Sequence, residues 1–431
     1  MRKRRRRRRA GRILPAILLF LVLCTGAGVI STGWIWMHTK DRSGKLTGPV
    51  ILAQAETELG KFLKEKQASL SEAAEEEKAG AGKMEGTQEA GESYRQETPK
   101  EEAVQQETSL ETDTGAAEEA DEKAAPVLRI VLDPGHGGPG INDEQELGAI
   151  YRDTYEKYLT LEIALAMEEE LSQYGNVEVF LTRDTDRALT LKDRAAYAES
   201  VGADLLVSLH LNASLEHNFY GSEVFVSAFD WFYARGAGAG QSILSQLTDY
   251  GFVSKGVKTR LGSKGADYYG IIRECKSLGI PALIVEHGYM DEDSDWSLMC
   301  TAEALRALGK RDAAGLAAYF GLEKGKSLSK LPKPEETIPD YPVRPDTTPP
   351  EEVWYRKESG KDGRQLITLH GVERESRVMY YDYSLDGGET YSSLNLWGTG
   401  ESIQFYMTLT GEEQLVFRVY NNYELRTGTD G

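Results

Sequence analysis

At Val127 the composition of this 431-residue chain changes abruptly, and the stretch that begins there restricts the fold more than any other feature. From there to about residue 322, short apolar runs alternate with helical patterns. Each strand must bury a face and each helix a stripe, so this alternation indicates an α/β domain. Residues 128–132 (LRIVL) read as a buried strand, 156–171 as a helix, 177–181 as a strand and 191–200 as a helix. Further strands are expected at 205–210, 223–227 and 282–286, and further helices at 241–250 and 301–319.

The segment before this domain is built differently. Residues 39–125 are mostly Glu, Ala, Gly, Gln, Thr and Lys, too poor in branched and aromatic side chains to offset chain entropy by burial. Residues 56–123 carry 20 acids and 8 bases, which accounts for most of the formal charge of -19. This stretch reads as an acidic tether (38–126) spanning on the order of 50 Å as a random coil. Upstream, residues 1–12 hold nine basic side chains, and residues 13–37 form a run of 25 without a single charge. At about 1.5 Å rise per residue, that run crosses a hydrocarbon layer of roughly 30 Å. Basic residues stay on the cytoplasmic side, so the expectation is a single-pass anchor in the cell membrane with everything after His38 extracytoplasmic. The same basic run placed elsewhere would point to nucleic acid; directly before an apolar span it sets topology, and no nucleic-acid partner is expected. A cleaved signal peptide needs an apolar core of only about 7–15 residues, and this run continues through Trp34 and Trp36, so an uncleaved anchor is the preferred reading. Cys24 lies in the span; Cys275 and Cys300 could form one disulfide or remain two core thiols.

After the α/β domain (127–323), residues 324–350 form a Pro- and Lys-rich linker with little to pack. Residues 351–431 contain short alternating runs and the turn Asp386-Gly387-Gly388, the pattern of a small β-sandwich. Its aromatic residues at period two read first as sandwich core and second as a surface for glycan or peptide.

Chemistry concentrates at strand ends. His136, in DPGHGG, and His210, in SLHLNA, both sit where expected strands finish, and the carboxyl ends of strands border the ligand crevice of an open α/β sheet. Either histidine alone is more simply a hydrogen-bonded loop or core residue. Glu156 opens the first long helix and can complete a two-His, one-Glu set with an open fourth position, a known catalytic zinc arrangement. Glu286 ends the apolar run 281–285; a carboxylate there must be paired or have a task, and beside an activated water it would serve as general acid and base.

Six segments then carry a family resemblance: IVLDPGHGG (130–138), EKYLTLEIAL (156–165), VFLTRDTD (179–186), LKDRAAYAES (191–200), DLLVSLHLNAS (204–214) and PALIVEHGYMDEDSDW (281–296). In this order, over about 195 of the 431 residues, they resemble the zinc-dependent N-acetylmuramoyl-L-alanine amidases. The resemblance implies a mixed β-sheet flanked by helices, with Zn2+ held by His136, Glu156 and His210, and Glu286 as the catalytic glutamate. The implied reaction is hydrolysis of the amide joining N-acetylmuramic acid to L-alanine in peptidoglycan, the work of an autolysin. Arg273, in YYGIIREC, matches an arginine common in the family, its role open. The chain departs from the pattern in two places. Twenty positions separate His136 from Glu156, and Glu144 and Glu146 between them are rival ligands. His287 directly follows the expected catalytic glutamate; a structural role is its default and a modified proton relay the alternative. Against an active enzyme stand a metal-free peptidoglycan-binding protein and a vestigial scaffold, both disfavoured by the intact set of four residues, and a partner-activated peptidoglycan-binding protein, which an intact site leaves open. The activating partner, if one exists, is not named by the sequence.

Overall fold

The computed structural model describes residues 127–138, 146–326 and 342–429. The expected anchor, the tether, Glu144 and part of the Pro-rich segment lie outside them. Among the described residues no helix is long and apolar enough to cross a membrane.

The first strand shows why the chain folds in layers. In β1 (Leu128–Pro134), Leu128, Ile130 and Leu132 pack into one apolar cluster while Val131 enters another on the opposite face, the period of two that strand geometry imposes. After the short pair β2 (Ile150–Tyr151) and β3 (Thr154–Tyr155) come α1 (Glu156–Leu171), β4 (Val177–Leu181), α2 (Leu191–Ser200), β5 (Leu205–Asn212) and β6 (Ser222–Val226). The domain is completed by α3 (Asp230–Tyr250), β7 (Ser254–Lys258), α4 (Gly270–Ser277), β8 (Ala282–Tyr289), α5 (Asp293–Met299) and α6 (Ala302–Phe320). The six-stranded sheet has the order β4-β1-β5-β8-β6-β7. β4, β1, β5 and β8 are parallel; β6 is antiparallel to β8 and parallel to β7. Helices α1, α3 and α6 cover one face through Leu159, Ile163, Ile243, Leu308 and Leu316, and α2 and α4 cover the other through Ala195, Ala198, Ile271 and Ile272. The expected mixed sheet flanked by helices is therefore what the chain forms.

Cys275 and Cys300 are separate buried thiols, so no disulfide joins them.

The C-terminal part is rich in β-structure: β9 (Glu351–Ser359), β10 (Gln365–Val372), β11 (Val378–Ser384), β12 (Asn395–Leu396), β13 (Ser402–Met407), β14 (Val416–Asn421) and β15 (Arg426–Gly428). These make one sheet of order β13-β10-β9 and another of order β12-β11-β14-β15, enclosing Ile367, Leu369, Trp397, Phe417 and Val419. A separate apolar cluster joins this region to the α/β part: Phe219 and Tyr289 from one side pack with Met379, Tyr380, Leu394 and Tyr420 from the other. The Tyr380 hydroxyl donates to the Tyr220 carbonyl, and the buried Lys255 is paired with Glu424. The segment preceding β9 is pinned as well. Val343 N donates to Ala228 O at 2.9 Å and Thr259 Oγ1 to Val343 O at 2.8 Å, contacts that the composition of residues 324–350 did not announce.

Near this junction, Asp295 on α5 accepts from Gly221 N at 2.7 Å and Tyr289 N at 2.8 Å through one oxygen. Burial pushes its carboxyl up to about 7 despite those two donors. The folded state then holds the proton more tightly than the unfolded chain. Stability from this group is full below the unfolded carboxylate range and is lost as pH rises through about 7. Asp295→Asn keeps the accepting oxygen and needs no proton. The variant is expected to be more stable than the parent at pH 8, by about 2 kcal/mol, with the gain fading toward pH 5. Melting temperatures of both proteins at the two pH values test this; an equal or lower value for the variant at pH 8 refutes it.

Candidate metal centre

His136 sits in a turn whose every carbonyl is claimed. Arg194 donates to Pro134 O at 2.9 Å and to His136 O at 2.7 Å. Arg183 donates to Pro134 O at 3.0 Å and to Gly135 O at 2.8 Å, and Thr160 Oγ1 also reaches Gly135 O at 2.9 Å. Both arginines are buried. Asp133, at the end of β1, balances Arg194 at 2.6 Å and accepts from Thr182 and Ser208 hydroxyls at 2.6 and 2.7 Å. Burial alone would raise the Asp133 carboxyl; the Arg194 charge and these donors reverse that and hold it below the usual range. The turn needs this bracing because His136 itself lies at φ +63°, a region costly for a side chain with a Cβ. Gly135 has a steric reason: a Cβ there would lie 2.3 Å from Cε1 of His210. The two histidines therefore meet only because residue 135 has no side chain.

Glu156 begins α1, where the helix dipole favours an anion. Its Oε2 accepts from Ala149 N at 2.8 Å and its Oε1 from Leu211 N at 3.0 Å. The same oxygens face imidazole nitrogens: Oε2 lies 3.2 Å from His136 Nε2, and Oε1 lies 3.0 Å from His210 Nδ1. The rings meet edge to face, with centroids 4.9 Å apart. One donor atom from each residue lies within 4.8 Å of the other two, a spacing a divalent cation can bridge. Three lone-pair donors aimed at one point repel unless a proton or cation lies among them, so the donor set fits a metal in chemistry as well as in spacing. Of the rival ligands, Glu146 is outside this cluster, and its carbonyl instead accepts from Gly137 N at 2.8 Å.

Sheet register brings Glu286 alongside. On β8 it pairs with His210 of β5, and on its other side with Glu223 of β6. One carboxylate oxygen of Glu286 is enclosed without a hydrogen-bond partner. Burial raises its proton affinity well above that of an ordinary glutamate, with Glu156 and Glu223 adding to the rise and Lys255 opposing it. Glu223, by contrast, is fully engaged, pairing with the buried Lys258 and accepting from Asn212 Nδ2 at 2.7 Å.

His287 points away from this edge. Its ring is enclosed, with Nδ1 2.9 Å from His210 O and Nε2 2.7 Å from Asp312 Oδ2 on α6. Both neighbours are acceptors, so the ring donates from both nitrogens and tethers the strand that carries His210; neither nitrogen is left for a relay. Arg273 donates to Asp267 O at 3.0 Å and Tyr268 O at 2.6 Å, holding the loop that borders the site.

Sequence reasoning singled out the four central residues but not their supports. Arg183 and Arg194 lie inside two of the family-like segments; Lys255, Lys258, Glu223 and Asp312 carried no comparable signal.

A family model described as N-acetylmuramoyl-L-alanine amidase matches residues 130–318. The chain is 31% identical over 199 residues to the N-acetylmuramoyl-L-alanine amidase CwlM of Bacillus licheniformis, spanning 46% of this chain and 71% of that protein. It is 32% identical over 203 residues to the sporulation-specific N-acetylmuramoyl-L-alanine amidase of Bacillus subtilis, spanning 47% of this chain and 71% of that protein. Among solved structures, Cwp6 from Clostridium difficile aligns at 31% identity with a TM-score of 0.40, covering 44% of this chain and 29% of that one.

Proposed function

The chain belongs to the N-acetylmuramoyl-L-alanine amidase family, and we propose that it is a zinc enzyme cutting the bond between N-acetylmuramic acid and the L-alanine of the peptidoglycan stem. The observation that carries the zinc reading is the convergence of His136, Glu156 and His210 donor atoms at the strand ends beside Glu286. In that reading the three residues hold the ion, and bound zinc supplies an acidified water and a polarised carbonyl.

The rest is the work of the chain. Ala149 N and Leu211 N hold the Glu156 carboxylate from behind, so its orientation does not depend on substrate. The braced turn of residues 134–136 presents His136, and the His287 contact to His210 O keeps the second imidazole in register. Glu286 has high proton affinity and an unpartnered oxygen, the properties of a group that takes a proton from the attacking water and returns it to the leaving amine. The uncharged run at 13–37 would anchor the enzyme in the membrane, and the acidic tether would give it reach to the wall outside.

The purified full chain, incubated with peptidoglycan, should release peptides that begin with a free alanine, detectable by mass spectrometry. A chelator is expected to reduce that release at least a hundredfold, and stoichiometric zinc to restore it. Release that persists in protein shown by elemental analysis to be metal-free would overturn the zinc assignment; no release from the zinc-loaded protein would overturn the activity.

A further inference from the structure

Glu286 opens into a cavity of about 550 Å³ that two parts of the chain build together. Asn212, Arg260 and Tyr269 line it from the α/β side; Tyr423 and Glu424, from the turn between β14 and β15, line it from the C-terminal region. The wall from the C-terminal region is fixed in place. Glu424 pairs with the buried Lys255 and accepts from the Tyr289 hydroxyl, and the buried Lys258 donates to Asn422 O. Behind them lies the apolar cluster of Phe219, Tyr289, Tyr380 and Tyr420. A surface locked this firmly against the α/β part is a wall of the cavity rather than a separately swinging module.

The charges lining the cavity have partners, with two exceptions. Glu223 is paired with Lys258, Glu424 with Lys255, and Asp346 accepts from Asn421 Nδ2 at 2.8 Å and from the Ser376 hydroxyl. Glu286 keeps an unpartnered oxygen, which the proposed reaction uses. Arg260 is the second exception. It is exposed, its guanidinium stands 3.9 Å from the centroid of the Tyr268 ring and interacts with the Tyr269 hydroxyl, and it has no carboxylate partner among the described residues. A guanidinium held on an aromatic face keeps donors of its planar fork available, the geometry that takes a carboxylate bidentately.

We propose that this shared cavity seats the peptide half of the substrate, with Arg260 binding a peptide carboxylate and the β14–β15 turn closing the far side. The inference rests on the amidase reading for its substrate, and it makes the C-terminal region a specificity element. It predicts that the enzyme favours stems with free carboxylates over amidated ones.

The test uses the full chain and two synthetic N-acetylmuramoyl tripeptides, one with all carboxylates free and a twin with all of them converted to carboxamides. The parent should prefer the free acid at least tenfold in kcat/KM, mainly through KM. Arg260→Gln should bring that ratio close to one, again through KM, and Arg260→Lys should recover part of it. A parent without preference, or an Arg260→Gln variant that keeps the parent's preference, overturns the proposal. If neither tripeptide is cut, the amidase reading fails by itself, and calorimetric binding of the free acidic tripeptide decides the subsite. Binding that Arg260→Gln weakens tenfold or more upholds it; absent binding, or binding equal in parent and variant, overturns it.

Discussion

Glu286→Gln is expected to lower kcat by about a thousandfold, within the 10²–10⁴ range typical of a lost general acid–base group, while bound metal and KM change little. The substitution is close to isosteric and removes the ability to shuttle a proton at pH 7. It should not cost folding, because the enclosed oxygen it alters accepts no hydrogen bond and the negative charges of Glu156 and of its sheet neighbour Glu223 already disfavour an ionised carboxylate there. That separation makes the result interpretable. Circular dichroism and elemental analysis report on fold and metal, and turnover of a muramoyl peptide reports on chemistry. A variant retaining more than a tenth of parental kcat would show that another group moves the proton.

How much of this was readable in advance depended on whether the physics was local. Helix α1 was legible to the residue, because a carboxylate opens it and Leu159, Ile163 and Met167 lie beyond it on one buried face. The first half of α3 was not. Its Gly-Ala-Gly-Ala-Gly run weakens helix propensity, yet the glycines are there for packing: a Cβ at Gly240 would lie 2.6 Å from Val224 Cγ1. Strand β7, SKGVK, reads as polar and flexible, but Lys255 and Lys258 are buried in it. Their partners Glu223 and Glu424 stand up to 169 positions away, a distance no local pattern spans.

The docking of the C-terminal region was hidden for a related reason. Tyr380 packs with Phe219 and Tyr289 while Tyr381 and Tyr383 pack against the core around Phe417, so β11 has two covered faces. Alternation alone assigns one face to the sandwich core and leaves the other to solvent. Only Phe219 and Tyr289, from the other part of the chain, show what covers it. At the candidate metal centre the ligand types and their place at strand ends could be read directly, and Glu156 was preferred to Glu144 and Glu146 because Lys157, Leu161 and Ala164 follow it in the family's spacing; what no local pattern showed is that its two oxygens face one imidazole each.

Two arginine–carboxylate pairs involving β1 residues offer a graded experiment on what braces that centre. Arg129 meets Glu178 at 2.9 Å with both side chains about half exposed, whereas Arg194 meets Asp133 at 2.6 Å with both almost fully buried. An exposed pair contributes about 0–1 kcal/mol, since water solvates either charge when the other is removed. A buried pair broken on one side leaves an uncompensated ion and costs about 3–5 kcal/mol. Arg194→Met is therefore expected to shift the urea midpoint far more than Arg129→Met. It should also do something Arg129→Met does not. Loss of the donors to Pro134 O and His136 O frees a turn in which His136 is held at positive φ, so the ring should relax away from Glu156 and zinc affinity should fall at least tenfold. Zinc titration of both variants at a urea concentration where each is still folded separates the effects. Equal zinc affinity in the two would mean that the turn holds His136 without Arg194, and that Arg183 and Thr160 suffice as its brace.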